Sequence, residues 1–79
     1  MNEKELYKTI GKNIKKYRNE YNKKNPKITQ EKLAEIINVS VSFISGLESS
    51  KTSKGISIYT LYNISKVLKV SIDDLIKKD

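Results

Sequence analysis

Cysteine and histidine are both missing from the 79 residues. No disulfide framework staples the fold and no thiolate is available. The usual general base and the commonest metal ligand are absent as well. Serines are plentiful, but none has a histidine or a Ser-x-x-Lys arrangement to activate it as a nucleophile. The expectation is therefore a protein that is not an enzyme, with no cofactor and no metal. Long apolar runs are also lacking. None approaches the ~20 residues needed to span a bilayer, and the opening Met1-Asn2-Glu3-Lys4 has no signal-peptide character. A cytoplasmic protein without a membrane partner is expected. Proline occurs once, at Pro26, inside the polar basic stretch "NKKNPK" that ends the first structural element.

What remains is small, basic and regularly patterned. Lys and Arg number 16 against 9 Asp and Glu, a formal net charge of +7. Such a balance reads as a binder of nucleic acid or an anionic surface, or as a lysine-rich solvated shell. A cationic membrane-surface peptide is disfavoured, because the basic residues do not gather on one face of a continuous helix. The length suits one domain, 1–79, with no appended effector domain. Its apolar residues are a modest 37%, but they are aliphatic and spaced for a helical core.

Leu6, Ile10, Ile14 and Tyr17 fall at i, i+4, i+8 and i+11, the stripe of a long first helix. After it one pattern recurs four times: apolar, Ser or Thr, three residues, apolar. It reads Ile28-Thr29 to Leu33, Val39-Ser40 to Ile44, Ile56-Ser57 to Leu61, and Val70-Ser71 to Leu75. Each hydroxyl is placed to cap a helix N-terminus, and each apolar pair to staple the entering chain onto the helix. Asp74 adds acid to the last first turn, where the helix dipole favours it. No alternating run is bounded by hairpin turns. The expectation is an all-α, five-helix domain with short connections. One longer polar loop, 49–55, follows the third helix. The five tyrosines, Tyr7, Tyr17, Tyr21, Tyr59 and Tyr62, read as core-edge residues at helical spacing rather than as stacking platforms for bases.

The second and third helices carry the most specific spacing. Leu33, Ile37, Val39, Ile44 and Leu47 are apolar, Ala34 is small where a second helix must cross closely, and Asn38 stands where a turn needs φ > 0. Two short helices joined by so tight a turn form a helix-turn-helix, with its core at 29–48. Its second helix suits a DNA major groove. Yet from Val39 to Leu47 there is no charge at all. Ile44 and Leu47 face inward. The opposite side then presents Ser42, Ser45, Gly46 and Ser49, with Val41 and Phe43 at its edges. A carboxylate there would be repelled by phosphates. Small residues permit close approach, hydroxyls donate or accept, and Val41 or Phe43 can lie against a thymine methyl. An uncharged patch of this kind is also what the core of a protein interface looks like.

The segments "IGKNIKKYR", "ITQEKLAEIINVSVSFISGLE" and "ISIYTLYNISKVLKVSIDDL" together resemble the Cro/C1-type, or XRE, helix-turn-helix family of bacterial and phage regulators. Within it, "ISGLE" followed by a longer polar loop is similar to the controller proteins of restriction–modification systems and to repressors of the SinR type. The resemblance implies a lambda-repressor-like fold and a transcriptional regulator, a repressor or autoregulator, binding double-stranded DNA as a homodimer on a palindrome. It implies base contacts from Val41, Ser42, Ser45 and Gly46, to which Phe43 is added as an apolar contact for a thymine methyl. It implies phosphate contacts from Gln30, Ser49, Ser50, Lys51 and Lys54, and an ion pair between Arg18 and Glu48. Lys27, in the basic connection before the second helix, is expected to add another phosphate contact by its charge. A dimer surface at Ile72 and Ile76 is expected from their i, i+4 spacing on a terminal helix too short to bury both. An antitoxin or adaptor that uses the same fold on a protein partner is the alternative.

Two features depart from the family pattern. Arg18 and Gln30 lie 12 residues apart, roughly five more than usual, so the first connection is extended. Its lysines, Lys23, Lys24 and Lys27, either reach extra phosphates or sit on a mobile connector. The second departure is the groove face itself. It lacks the Gln, Arg, Lys or Asn side chains that make bidentate base contacts, so water, DNA shape and phosphate contacts are expected to supply much of the readout.

Overall fold

The computed structural model describes residues 1–49 and 55–78. They form five helices: α1 (Glu3–Lys24), α2 (Gln30–Ile37), α3 (Val41–Ser49), α4 (Ile58–Leu68) and α5 (Ile72–Ile76). Among the described residues there is no strand.

Every helix start has a local cause. Asn2 caps α1, accepting from the Glu5 N–H at 2.8 Å, and Glu3 and Glu5 at its head with Lys23 and Lys24 at its tail complement the helix dipole. The four repeated motifs all cap as expected. Thr29 Oγ1 accepts from Lys32 N–H at 3.0 Å, Ser40 Oγ from Phe43 N–H at 3.1 Å, Ser57 Oγ from Thr60 N–H at 3.1 Å and Ser71 Oγ from Asp74 N–H at 2.9 Å. At Ser71 the arrangement is reciprocal, because the Asp74 carboxylate accepts from the Ser71 N–H at 3.1 Å. Those hydrogen bonds, backbone first, hold the Asp74 carboxyl below its ordinary range.

Two helix ends use one device. Asn38 closes α2 in the left-handed region at φ 59°, ψ 50°. The next N–H, of Val39, then reaches back to the Ala34 carbonyl at 3.0 Å, satisfying an orphaned acceptor. Lys69 does the same after α4 at φ 57°, and Val70 N–H donates to the Ser65 carbonyl at 3.0 Å. Val39 and Val70 therefore serve twice: each closes one helix and staples the next.

The core gathers Ile10 and Ile14 of α1, Leu33 and Ala34 of α2, Ile44 and Leu47 of α3, Leu61, Ile64 and Leu68 of α4, and Leu75 of α5, with Ile28 from the first connection. Two polar features of α1 organise the packing. Gly11 lies where α1 crosses the end of α3; a Cβ at that position would fall 1.8 Å from the Leu47 carbonyl oxygen. Asn13 is buried, and its amide donates to the carbonyls of Leu75 at 2.9 Å and Lys77 at 2.8 Å. It thus fastens the end of α5 to α1 while satisfying acceptors that the helix end leaves open.

The tyrosines divide. Tyr7, Tyr17 and Tyr21 pack at the core edge. Tyr59 and Tyr62 do not, being 73% and 47% exposed. The reason is register: α4 buries Leu61, Ile64, Ser65 and Leu68, so residues 59 and 62 fall on the opposite arc. The Tyr62 ring instead lies under the Lys66 ammonium, 5.4 Å from its centroid.

Candidate nucleic-acid interface

Glu48 is the only acid in α3, and its side chain is just 2% exposed. Arg18 of α1 grips it with two parallel bonds, Nε to Oε2 at 2.8 Å and Nη2 to Oε1 at 2.9 Å. Gln30, the first residue of α2, donates its amide to Oε1 at 3.0 Å. Three helices thus meet on one carboxylate. Its hydrogen bond raises Arg18 above its ordinary pKa, against the opposing effect of burial. Arg18 also donates through Nη1 to the Ile28 carbonyl at 3.1 Å.

The same carbonyl accepts from Asn22 Nδ2 at 3.1 Å, and Asn22 Oδ1 accepts from the Ile28 N–H at 2.6 Å. A side-chain amide therefore pairs with both polar groups of one backbone residue. This accounts for the long spacing between Arg18 and Gln30. Helix α1 continues to Lys24, and the remaining connection, 25–29, is pinned by buried Ile28 and by Asn25, whose N–H and side-chain amide both donate to the Tyr21 carbonyl at 3.1 Å. Lys23, Lys24 and Lys27 stand exposed around it.

The outer face of α3 follows from this lock. With Ile44, Leu47 and Glu48 buried, Val41, Ser42, Ser45 and Ser49 are exposed and Gly46 is half-buried. Phe43 behaves differently from Val41: it is half-buried and packs against the core, so its ring is partly withdrawn from that face. Gln30 lies beside the face, half-buried, with its amide engaged by Glu48. Ser50, Lys51 and Lys54, expected to meet phosphates after α3, lie outside the described residues, as do Thr52 and Ser53. Ile72 and Ile76 are each half-buried against the domain's own core rather than left on an open face. The large apolar side chains that do stand exposed are Met1, Ile36, Val41, Ile58, Tyr59 and Tyr62.

Gly11, Asn13 and Asn22 are the structural residues that pattern reading passed over. A signal existed for Asn13. It sits within the apolar stripe Ile10, Ile14, Tyr17, and a polar residue on a core face must find partners there.

A tight turn through a left-handed Asn38, a capped second helix with one face buried and the other exposed, and an Arg–Glu–Gln lock behind it make up the observed site. A family model described as helix-turn-helix matches residues 14–75 of the chain. The chain belongs to the Cro/C1-type helix-turn-helix family. It is a DNA-binding regulator of that type, and the family is a regulatory rather than a catalytic one. No curated protein matches the chain. No helix among the described residues is long and apolar enough to cross a membrane, and no cluster of acidic residues among them is arranged to hold a metal.

Proposed function

We propose that this helix-turn-helix protein is a sequence-specific transcriptional repressor or autoregulator, acting in the cytoplasm as a homodimer on a palindromic operator. One observation carries the reading: the sole carboxylate of α3 is sequestered behind the helix, which leaves an outer face free of negative charge. In this reading Val41, Ser42, Ser45 and Gly46 face base edges, with Phe43 contributing only its exposed edge. Gln30, Lys27, Ser49, Ser50, Lys51 and Lys54 meet phosphates, with the α2 N-terminus favouring an anion. So short a face makes modest direct contacts, and groove shape and bridging water supply the rest.

The test is binding to duplexes that the protein itself selects from a random pool, measured from low to high salt. About six to ten phosphate contacts in a dimer give a slope of log K against log salt of about −5 to −9. A flat response on every duplex would remove DNA binding from the account.

The half-buried Ile72 and Ile76, with exposed Tyr62 on α4, form the proposed two-fold surface. A two-fold there sets half-sites about one DNA turn apart, ~10 base pairs. Ile76→Asp is expected to give a monomer in sedimentation that still folds but melts below the wild type, because Ile76 also packs against the domain's own core, with weak half-site binding. A variant that stays dimeric places the interface elsewhere.

A second reading, a module that docks on a protein, draws on the exposed Ile58 and Tyr59 of α4. The absence of salt-dependent DNA binding would favour it.

A further inference from the structure

Helix α1 carries a lysine stripe. Lys8, Lys12, Lys15 and Asn19 follow at i, i+4, i+7 and i+11, so they share one face of the helix. Together with Ser49, the last residue of α3, they line an open groove beside the reading helix. The acids that border the groove are already engaged. Glu5 pairs with Lys78 at 3.9 Å, and Glu48 is held by Arg18 and Gln30. Lys8, Lys12 and Lys15 are exposed and have no ion-pair partner among the described residues.

We propose that this stripe is a second DNA-backbone surface, which follows phosphates of the duplex flanking the segment read by α3. Three points support that occupant. The charge is complementary to a polyanion. The groove reaches Ser49, at the end of the same exposed face of α3 that carries Ser42 and Ser45. Its length also fits: Lys8 to Lys15 spans roughly 10 Å along the helix axis, while one DNA strand carries a phosphate about every 3.4 Å of its axis. Two or three phosphates thus lie within reach of three ammonium groups. A stripe of this kind adds affinity and extends the footprint without adding sequence information. The proposal rests on the DNA-binding reading above.

The probes are two selected duplexes, one trimmed to the edge of the protein's footprint core and one extended by six to eight base pairs of arbitrary sequence on each side. For the wild type, the salt slope should be steeper on the extended duplex by about 2 to 3 for each bound protomer, at about 0.9 per phosphate. K8Q/K12Q/K15Q should give the same slope on both duplexes and match the wild type on the trimmed one. K8R/K12R/K15R, which keeps the charge, should retain the wild-type difference. Thermal melts of all three proteins should coincide. The proposal is overturned if the wild type gains nothing from the flanks, or if the glutamine variant keeps its slope or loses affinity equally on both duplexes. Failure of the wild type to bind any selected duplex would instead overturn the DNA reading itself.

Discussion

Glu48→Ala is expected to lower unfolding stability by about 3–5 kcal/mol, the usual cost of breaking one side of a buried ion pair. The carboxylate accepts two bonds from Arg18 and one from Gln30. Its removal leaves a guanidinium, only 12% exposed, facing an empty site. The Gln30 amide loses its partner too, which adds the desolvation penalty of an unmet donor. For a domain whose whole stability is expected near the lower end of about 5–15 kcal/mol, this removes a large share. Glu48→Gln should recover little, because its amide group would turn donors toward the Arg18 donors. The double variant Arg18→Met with Glu48→Met should recover most of the loss, since no charge is then left buried. Urea unfolding of the four proteins decides the matter. A Glu48→Ala cost below about 1 kcal/mol is what a solvated surface pair would give, and it would contradict the lock described here.

Gly11→Ala is the second large effect, and its sign is opposite to what helix propensity alone predicts. Alanine in a helix interior is favoured over glycine by about 1 kcal/mol. Here the new methyl group would lie 1.8 Å from the Leu47 carbonyl oxygen and 2.9 Å from its carbon. Both atoms are backbone, so no side chain can turn aside. Helix α1 and the end of α3 must separate, and overpacking of this kind costs about 1–3 kcal/mol or more. The net expectation is destabilisation by about 2 kcal/mol, together with weaker DNA binding per folded molecule, because α3 is displaced from its seat on α1. Thermal melting and binding at matched folded concentration test both halves. A variant that melts at or above the wild type would show that the crossing is looser than described.

These two residues mark where the sequence is informative and where it is not. The helix starts at Thr29, Ser40, Ser57 and Ser71 were readable because each cap and its staple lie within a few residues of one another, so the chemistry is local. Asn38 was readable for the same reason: asparagine tolerates the left-handed region that the turn demands. Lys69 adopts the same conformation without a residue type that announces it. Asn13 bonds to carbonyls of residues 75 and 77, and Gly11 answers to Leu47. Partners so distant in sequence leave no periodic trace. The exposure of Tyr59 and Tyr62, and the partial withdrawal of Phe43, depend on which arc of a helix meets the core. For short amphipathic helices that choice is made by packing rather than by propensity.

The Arg18–Glu48 pair was legible only through the family resemblance, because two charges 30 residues apart have no intrinsic signature. The outer face of α3 was more legible. Composition pointed to an anion binder, and the charge-free run 39–47 singled out α3. The geometry adds the reason that the face stays free of negative charge: the one neighbouring acid, Glu48, is turned inward and held.

The most direct measurement of the central claim, that the outer face of α3 reads DNA, is the affinity of Ser45→Glu for a selected duplex, compared with Tyr59→Glu as a control. Both positions are exposed, so both variants should fold and melt like the wild type. Each adds one carboxylate, which makes the change in net charge identical. The account predicts that Ser45→Glu loses sequence-specific binding while Tyr59→Glu retains it. Equal retention by the two variants, or a loss confined to Tyr59→Glu, would contradict it.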